Sequence, residues 1–287
     1  MPLTSVVDYL NGRLSALHPR AHLRQRARYR IHRGSLTAEV AGFVLTPALM
    51  PVVRAATGEV FGQRARLHVN TQDGQSVPPE SLYVQAWDAE DVLYLDRFLR
   101  TFQALNYLQQ GYDGREPLTL DVHLRHLAAQ PEHHGEVFET LLHHLGLRPD
   151  QVILRLDGQA LHLDPHVQGA AMSFTSHGYR LVAARPDIEH TDWDLLRSLG
   201  VHWVSPHHRD LETLLNLGSP DHRGHETQVR RVGLWLDGID SPRGLAQARA
   251  LGADLIEGDM ALPDSMPLSY RSSLNHEEIG RQKSVIT

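Results

Sequence analysis

Short apolar runs alternate with helix-like segments along most of this chain, and that alternation restricts the fold more than any other feature. Residues 42–45 (GFVL), 118–124, 151–156, 179–184, 201–206, 229–236 and 253–258 have the length and pattern of strands. Between them lie helix-like stretches such as ESLYVQAWDAEDVLYLDRFLRTFQALNYLQQ, HGEVFETLLHHLGL, DPHVQGAAMSFTSHG and SPRGLAQARALG, several of which end at the glycine that a helix C-terminus favours. Strands alternating with helices imply βα units and a mostly parallel sheet. No GxGxxG or GxxxxGK[ST] loop supports an open nucleotide-binding sheet, so the expected fold is α/β, a TIM-type (β/α) barrel. The expected organisation is an N-terminal helical extension over 1–25, the barrel over 26–265 and a polar C-terminal tail over 266–287.

Composition removes several classes of chemistry. The 287 residues are 41% hydrophobic and 22% charged, as in an ordinary globular protein. With no cysteine there is no thiolate nucleophile, disulfide or thiolate metal site. The net charge of -6 argues against a general nucleic-acid partner. No apolar run is long enough to span a membrane and no signal peptide opens the sequence, so a cytoplasmic location without membrane association is expected. The arginine-dense segment 22–33 reads as a solvated amphipathic face, with an anionic partner as the alternative. Lysine occurs once, at Lys283 in the tail, so no lysine-dependent step has a residue inside the barrel. The histidine doublets 133–134, 143–144 and 207–208 put adjacent side chains on different faces, which does not suit two ligands of one ion, and no HExxH pattern is present.

Chemistry in such a barrel sits at the C-terminal ends of the strands. Those ends carry Val44, Asp121, Arg155, Ala184, Arg185, Ser205, Asp237 and Glu257. Acids facing arginines can pair, but they do not form the oxygen-rich nest that a divalent cation requires.

The order of motifs resembles the EAL family, bacterial barrels that hydrolyse cyclic di-GMP with two divalent metals. The resemblance covers about residues 29–263. VPPESLYVQAWDAEDVLYLDRFLRTF resembles that family's proline-led helix start followed by an acidic turn and Leu-Asp-Arg. EPLTLDVHLRHL is similar to its Pro-Leu-Ser-Val-Asn-Val-Ser strand, and LGLRPDQVILRLDGQAL to its Gly-Leu-x-Pro-x-x-Leu-x-Leu-Glu-Ile-Thr-Glu strand. GYRLVAARPDIEHTDWDLLRSLGVHWVSPHH runs in step with the block from Asp-Asp-Phe-Gly to Lys-x-Asp. LWLDGIDSPRGLAQARALGADLIEGDMALP resembles the closing block.

In that register Val44 takes the place of the metal-binding glutamate of the family's name motif, and Ala48 that of a phosphate-holding arginine. The asparagine position is Asp121 and the next glutamate is Arg155. The aspartate pair is Ala184 and Arg185, the lysine is Ser205 and the aspartate after it His207. The last glutamate ligand is Asp237, and the glutamine before glycine is Glu257. The resemblance therefore implies a degenerate member that binds no metal, carries no cofactor and has lost its phosphodiesterase activity.

Three functions stay open at this point. The favoured one is a catalytically inactive EAL-like module that regulates an unidentified protein in motility or biofilm signalling. The second is a non-hydrolysing cyclic di-GMP receptor, with Arg155 and Arg185 as possible ligand-binding residues. The third is a metal-dependent phosphodiester hydrolase, suggested by His32-Arg33-Gly34 and by GADLIEGD at 252–259, which resemble fragments of glycerophosphodiester phosphodiesterases. The segment 57–77 reads as a hairpin or long rim loop suited to partner binding, and the resemblance implies a homodimer through the helix DWDLLRSL. Trp193, Trp203 and Trp235 are expected in the core, Trp87 with Tyr94 and Phe98 as a buried stripe, and Asp237 to Asp240 as a strand-end turn.

Overall fold

The computed structural model describes residues 3–18, 20–32, 34–129, 139–140, 142–143, 145–206, 210, 213–214 and 232–261. Eleven strands form one sheet: β1 (Arg28–His32), β2 (Ser35–Val40), β3 (Phe43–Arg54), β4 (Val60–Thr71), β5 (Ser76–Val77), β6 (Leu118–Asp121), β7 (Val152–Asp157), β8 (Arg180–Ala184), β9 (Val201–Ser205), β10 (Gly233–Leu236) and β11 (Leu255–Ile256). Eight of them, β3, β4 and β6 to β11, close into a barrel of the TIM type, because β3 pairs with both β11 and β4. Seven barrel strands run parallel, while β3 runs against both of its neighbours.

Strand parity sorts the side chains. Along β7, Val152, Leu154 and Leu156 face the surrounding helices in the larger core, while Ile153 points into the barrel with Val52, Val182, Trp235 and Leu255. These five residues, with Phe61 and Trp203 against them, fill the lower interior. Side chains alternate across a strand, so the inward row above Ile153 continues at Arg155. The same parity turns Arg64, Arg66, Thr119, Asp121, Ser205, Asp237 and Glu257 inward, above an apolar floor.

Of the two forms expected for segment 57–77, the structure has the hairpin rather than the rim loop: β4 pairs antiparallel with β5, and β4 is a twelve-residue strand that closes the barrel. The arginine-dense segment 22–33 has the expected amphipathic face: Arg26, Arg28 and Arg30 are exposed, while Leu23, Ala27 and Tyr29 are buried, and Tyr29 on β1 stacks on Phe98 at 4.4 Å. Helix α1 (Leu3–Asn11), the short α2 (Leu14–Leu17) and the β1–β2 ribbon pack on one another and on a long helix, giving a second apolar core beside the barrel. Between β5 and that long helix lies a one-turn helix, α3 (Ser81–Val84). The long helix itself is α4 (Ala89–Gln109), which starts where the acidic turn was expected, with Asp88 accepting from the Asp91 N–H at 2.8 Å. Asn11 bonds both backbone groups of Tyr29, at 2.8 and 2.9 Å, and so caps the open edge of β1. The predicted aromatic stripe holds only in part: Tyr94 and Phe98 are buried, but Trp87 is 85% exposed. Trp235 is buried as expected, Trp203 packs edge-on against it at 6.3 Å, and Trp193 is partly buried. Lys283, the 266–287 tail and the doublets at 133–134 and 207–208 lie outside the described residues, as does His144.

Candidate functional site at the barrel mouth

The inward residues near the C-terminal strand ends form one network of three arginines and three carboxylates. Arg64 on β4 is its centre. It donates to Glu257, reaches both Asp121 oxygens at 3.2 and 3.3 Å, and lies 3.6 Å from Asp237. Arg66, two residues along β4, donates to the same Glu257 oxygen at 3.0 Å. Arg155 bridges Asp121 at 3.2 Å and Asp237 at 3.5 Å, with its guanidinium 5.4 Å from the centre of the Trp235 ring. Every acid therefore touches two arginines, and the network is balanced in charge.

Position along the strands explains the convergence. Asp121 pairs with Arg155 in the β6–β7 register, and Arg64 pairs with Thr119 one inward step below Asp121. Glu257 follows β11, where Gly258 adopts φ 137° and its Cα comes so near Ile239 that a Cβ would lie 2.4 Å from the Ile239 nitrogen. That close approach lets Ile239 N–H donate to the Glu257 carbonyl at 2.9 Å and ties the β10 and β11 ends together. Asp240 accepts from Asp259 N–H at 2.9 Å, in keeping with the expected strand-end turn.

Electrostatics follow from burial against pairing. Burial alone would depress the Arg64 pKa, but Asp121, Glu257 and Asp237 reverse the sign and raise it above the usual guanidinium value. Burial and repulsion from Arg64 win at Arg155, pushed down to about 10 against the pull of its carboxylates, so it stays cationic at neutral pH. Burial would raise Asp121 and Glu257; the surrounding arginines outweigh it and lower both, Asp121 to about 2. A carboxylate with a depressed folded pKa stabilises the fold above its ordinary value and loses that contribution as pH falls towards the folded one. For Asp121 the window runs from 3.8 down to about 2. Its side chain is 53% exposed, so solvent screens the effect and the shift is not a measure of stability. Unfolding midpoints against pH should show an acid limb through this window that Asp121→Asn flattens; an unchanged limb would remove Asp121 from the account.

The structure assembles Asp121, Arg155, Asp237 and Glu257 as one site. Ser205 lies beside them on the inner face of β9, fully buried, with no partner for its hydroxyl among the described residues. Ala184, next to it in register, is buried and offers no ligand atom. Arg185 is exposed in a left-handed conformation, φ 52°, donates its backbone N–H to Ser205 O at 2.7 Å and lines a cavity of about 350 Å³ with Gln159, Asp187 and Glu189. His207 lies outside the described residues.

Val44 is not part of the site. It pairs with Glu39 and Asn70 on the antiparallel strand β3, four residues past Arg66 in the β3–β4 register. Ala48 pairs with Arg66 at the mouth, but the charged side chains come from β4, and sequence reading missed both Arg64 and Arg66. Their signal was available: in VFGQRARLH, two arginines at period 2 share one face of a strand. His32 stands on β1, which is not one of the eight barrel strands, and Arg33 lies outside the described residues. Among the described residues no three histidine, aspartate or glutamate side chains are grouped to hold a metal ion. No helix among them is long and apolar enough to cross a membrane.

No family model matches the sequence, and no curated protein matches it. Solved structures do match. Over 76% of this chain, the cGMP-bound EAL enzyme Bd1971 superposes with a TM-score of 0.55 at 14% identity. Klebsiella pneumoniae BlrP1 with calcium and cyclic di-GMP matches 89% of this chain with a TM-score of 0.59 at 17% identity. The FimX EAL domain from Pseudomonas aeruginosa, bound to cyclic di-GMP, matches 75% with a TM-score of 0.58 at 16% identity. The match spans 62% of the Bd1971 chain and 63% of BlrP1, but 88% of the FimX domain. At these identities the likeness is one of fold: the chain has an EAL-like barrel.

Proposed function

We propose that this chain is a catalytically inactive EAL-like barrel that works in the bacterial cytoplasm as a protein-interaction module in cyclic di-GMP-related signalling. One observation carries the reading: Arg64 and Arg155 sit among Asp121, Asp237 and Glu257, where a two-metal centre would need free carboxylates. Two-metal hydrolysis uses the cations to generate hydroxide and to clamp the in-line displacement. Two unit charges about 4 Å apart repel by roughly 4 kcal/mol at an effective dielectric near 20, and a divalent ion beside a fixed guanidinium feels twice that. The carboxylates are already neutralised, so they offer little to offset it. The donor set thus does not fit a pair of divalent ions, and no hydrolytic step runs through them.

EAL-domain proteins bound to cyclic di-GMP are among its structural neighbours, which supports placing the chain in that signalling context. The expected result is that purified protein does not convert cyclic di-GMP with magnesium, manganese or calcium present. Metal-dependent turnover above background would overturn the proposal.

A second reading, a receptor that binds cyclic di-GMP without cutting it, is favoured by the partly exposed Arg66 and the exposed Arg185. Arg155 is a poor anchor for such a ligand, since its side chain is 2% exposed and engaged with Asp121 and Asp237. Calorimetric titration with cyclic di-GMP separates the two: heat of binding lost in Arg66→Ala selects the receptor.

A further inference from the structure

Beside the mouth, α3 and the turn after it hold an apolar surface in water. Trp87 is 85% exposed, Val84 75% and Leu124, from the start of α5 (Leu124–Ala129), 39%. Their neighbours Leu82 and Ala86 are 0% and 3% exposed, so the segment buries one face completely and presents the other.

The presentation is rigid. Tyr83 stacks on His123 with ring centres 3.7 Å apart. Arg125 donates to Tyr83 O and, at 2.9 Å, to Ala86 O, which clips the turn onto the start of α5. Asp88, the residue after Trp87, is the N-cap of α4 and accepts from the Asp91 N–H. The backbone is therefore held on both sides of Trp87, so covering the ring requires no ordering of the chain that carries it. Rigid, exposed aromatic and aliphatic groups are the usual anchors of protein interfaces.

Charge narrows the partner. Glu80 and Asp88 flank the apolar residues in the chain, and both are exposed. Arg125 keeps its charge while donating to two carbonyls, so two acids stand against one cation here, and the chain as a whole carries -6. An acidic rim repels an anionic membrane and attracts cations.

We propose that Val84, Trp87 and Leu124 form the docking surface for a basic amphipathic segment of a partner protein, its apolar face on Trp87 and its lysines or arginines against Glu80 and Asp88. The inference rests on the reading of the barrel as an interaction module and adds the surface and the chemistry of the partner. A segment seated there lies on the mouth side of the barrel, because α5 follows directly from β6.

The test titrates the full chain with a fluorescent helical peptide of leucine and lysine faces, a leucine–glutamate peptide of the same apolar pattern, and vesicles containing phosphatidylserine. The lysine peptide is expected to bind, with affinity falling about tenfold or more in Trp87→Ala and less in Glu80→Gln. Leu163→Ala, which removes an equally exposed side chain elsewhere, should leave binding unchanged. Trp87 is exposed, so unchanged melting of Trp87→Ala checks that the fold is intact. Binding that ignores Trp87, equal binding of the acidic peptide, or a preference for the vesicles overturns the surface. The turnover assay tests the inactive reading separately, so protein that neither cleaves cyclic di-GMP nor binds through Trp87 overturns the surface alone.

Discussion

Glu257→Ala should lower the stability of the fold by about 3–5 kcal/mol, the range for breaking a buried ion pair by removing one partner. Glu257 is 1% exposed and is shared by Arg64 and Arg66, of which Arg64 is 8% exposed. Removing the carboxylate leaves the Arg64 guanidinium in the barrel interior with only Asp121 and Asp237, both already engaged by Arg155. The cost comes from the stranded charge rather than from the lost contact. Removing both partners therefore makes the sharper experiment: with Arg64→Met and Glu257→Met made singly and together, the double variant takes both charges away and should recover most of the loss, and the cycle should give a coupling energy of the same order. Arg66 loses its partner wherever Glu257 is replaced, but at 35% exposure water solvates it in part. Urea midpoints at constant m-value measure Glu257→Ala and every protein of the cycle. A loss below about 1 kcal/mol in Glu257→Ala would mean that the network is hydrated and does not set the character of the mouth.

The barrel was legible because its inner and outer faces obey a period of two. In QVILRL the three outward residues are aliphatic and the odd member, Arg155, falls on the inner face beside Ile153, so a charge inside a strand marked the mouth before any coordinates did. Asp121, Ser205, Asp237 and Glu257 follow from the same parity. The first two barrel strands were legible only in part, for a physical reason. β3 is antiparallel, so its start, not its end, lies on the mouth side, and a rule written for parallel βα units placed Val44 where Arg64 belongs. β4 carries glutamine, two arginines, histidine and asparagine, because its inner face is a charged network and its far end runs beyond the barrel. A polar strand of that kind reads as a loop. Trp87 escaped for a related reason: helical spacing grouped it with Tyr94 and Phe98, but α4 begins only after Asp88, so Trp87 never joins that helical face.

Exchanging the two central guanidiniums should turn metal indifference into metal dependence. Arg64→Glu with Arg155→Glu converts a mouth of three cations and three anions into one cation and five anions, with Asp121 and Asp237 released from their ion pairs and Glu257 left with Arg66 alone. Without divalent ions that variant should melt well below the unaltered protein, because neighbouring carboxylates repel in a poorly hydrated interior. Manganese should then restore it, since oxygen ligands at a strand-end mouth suit hard cations. At about a hundred times its dissociation constant an ion that binds only the folded state adds roughly 2.7 kcal/mol. The unaltered protein should gain nothing over the same titration, because the guanidiniums already supply the positive charge the acids need. Thermal melts with and without manganese, in both proteins, carry the comparison. Metal-dependent stabilisation of the unaltered protein would show that ions displace the arginines, and the inactive reading of the mouth would fail with it.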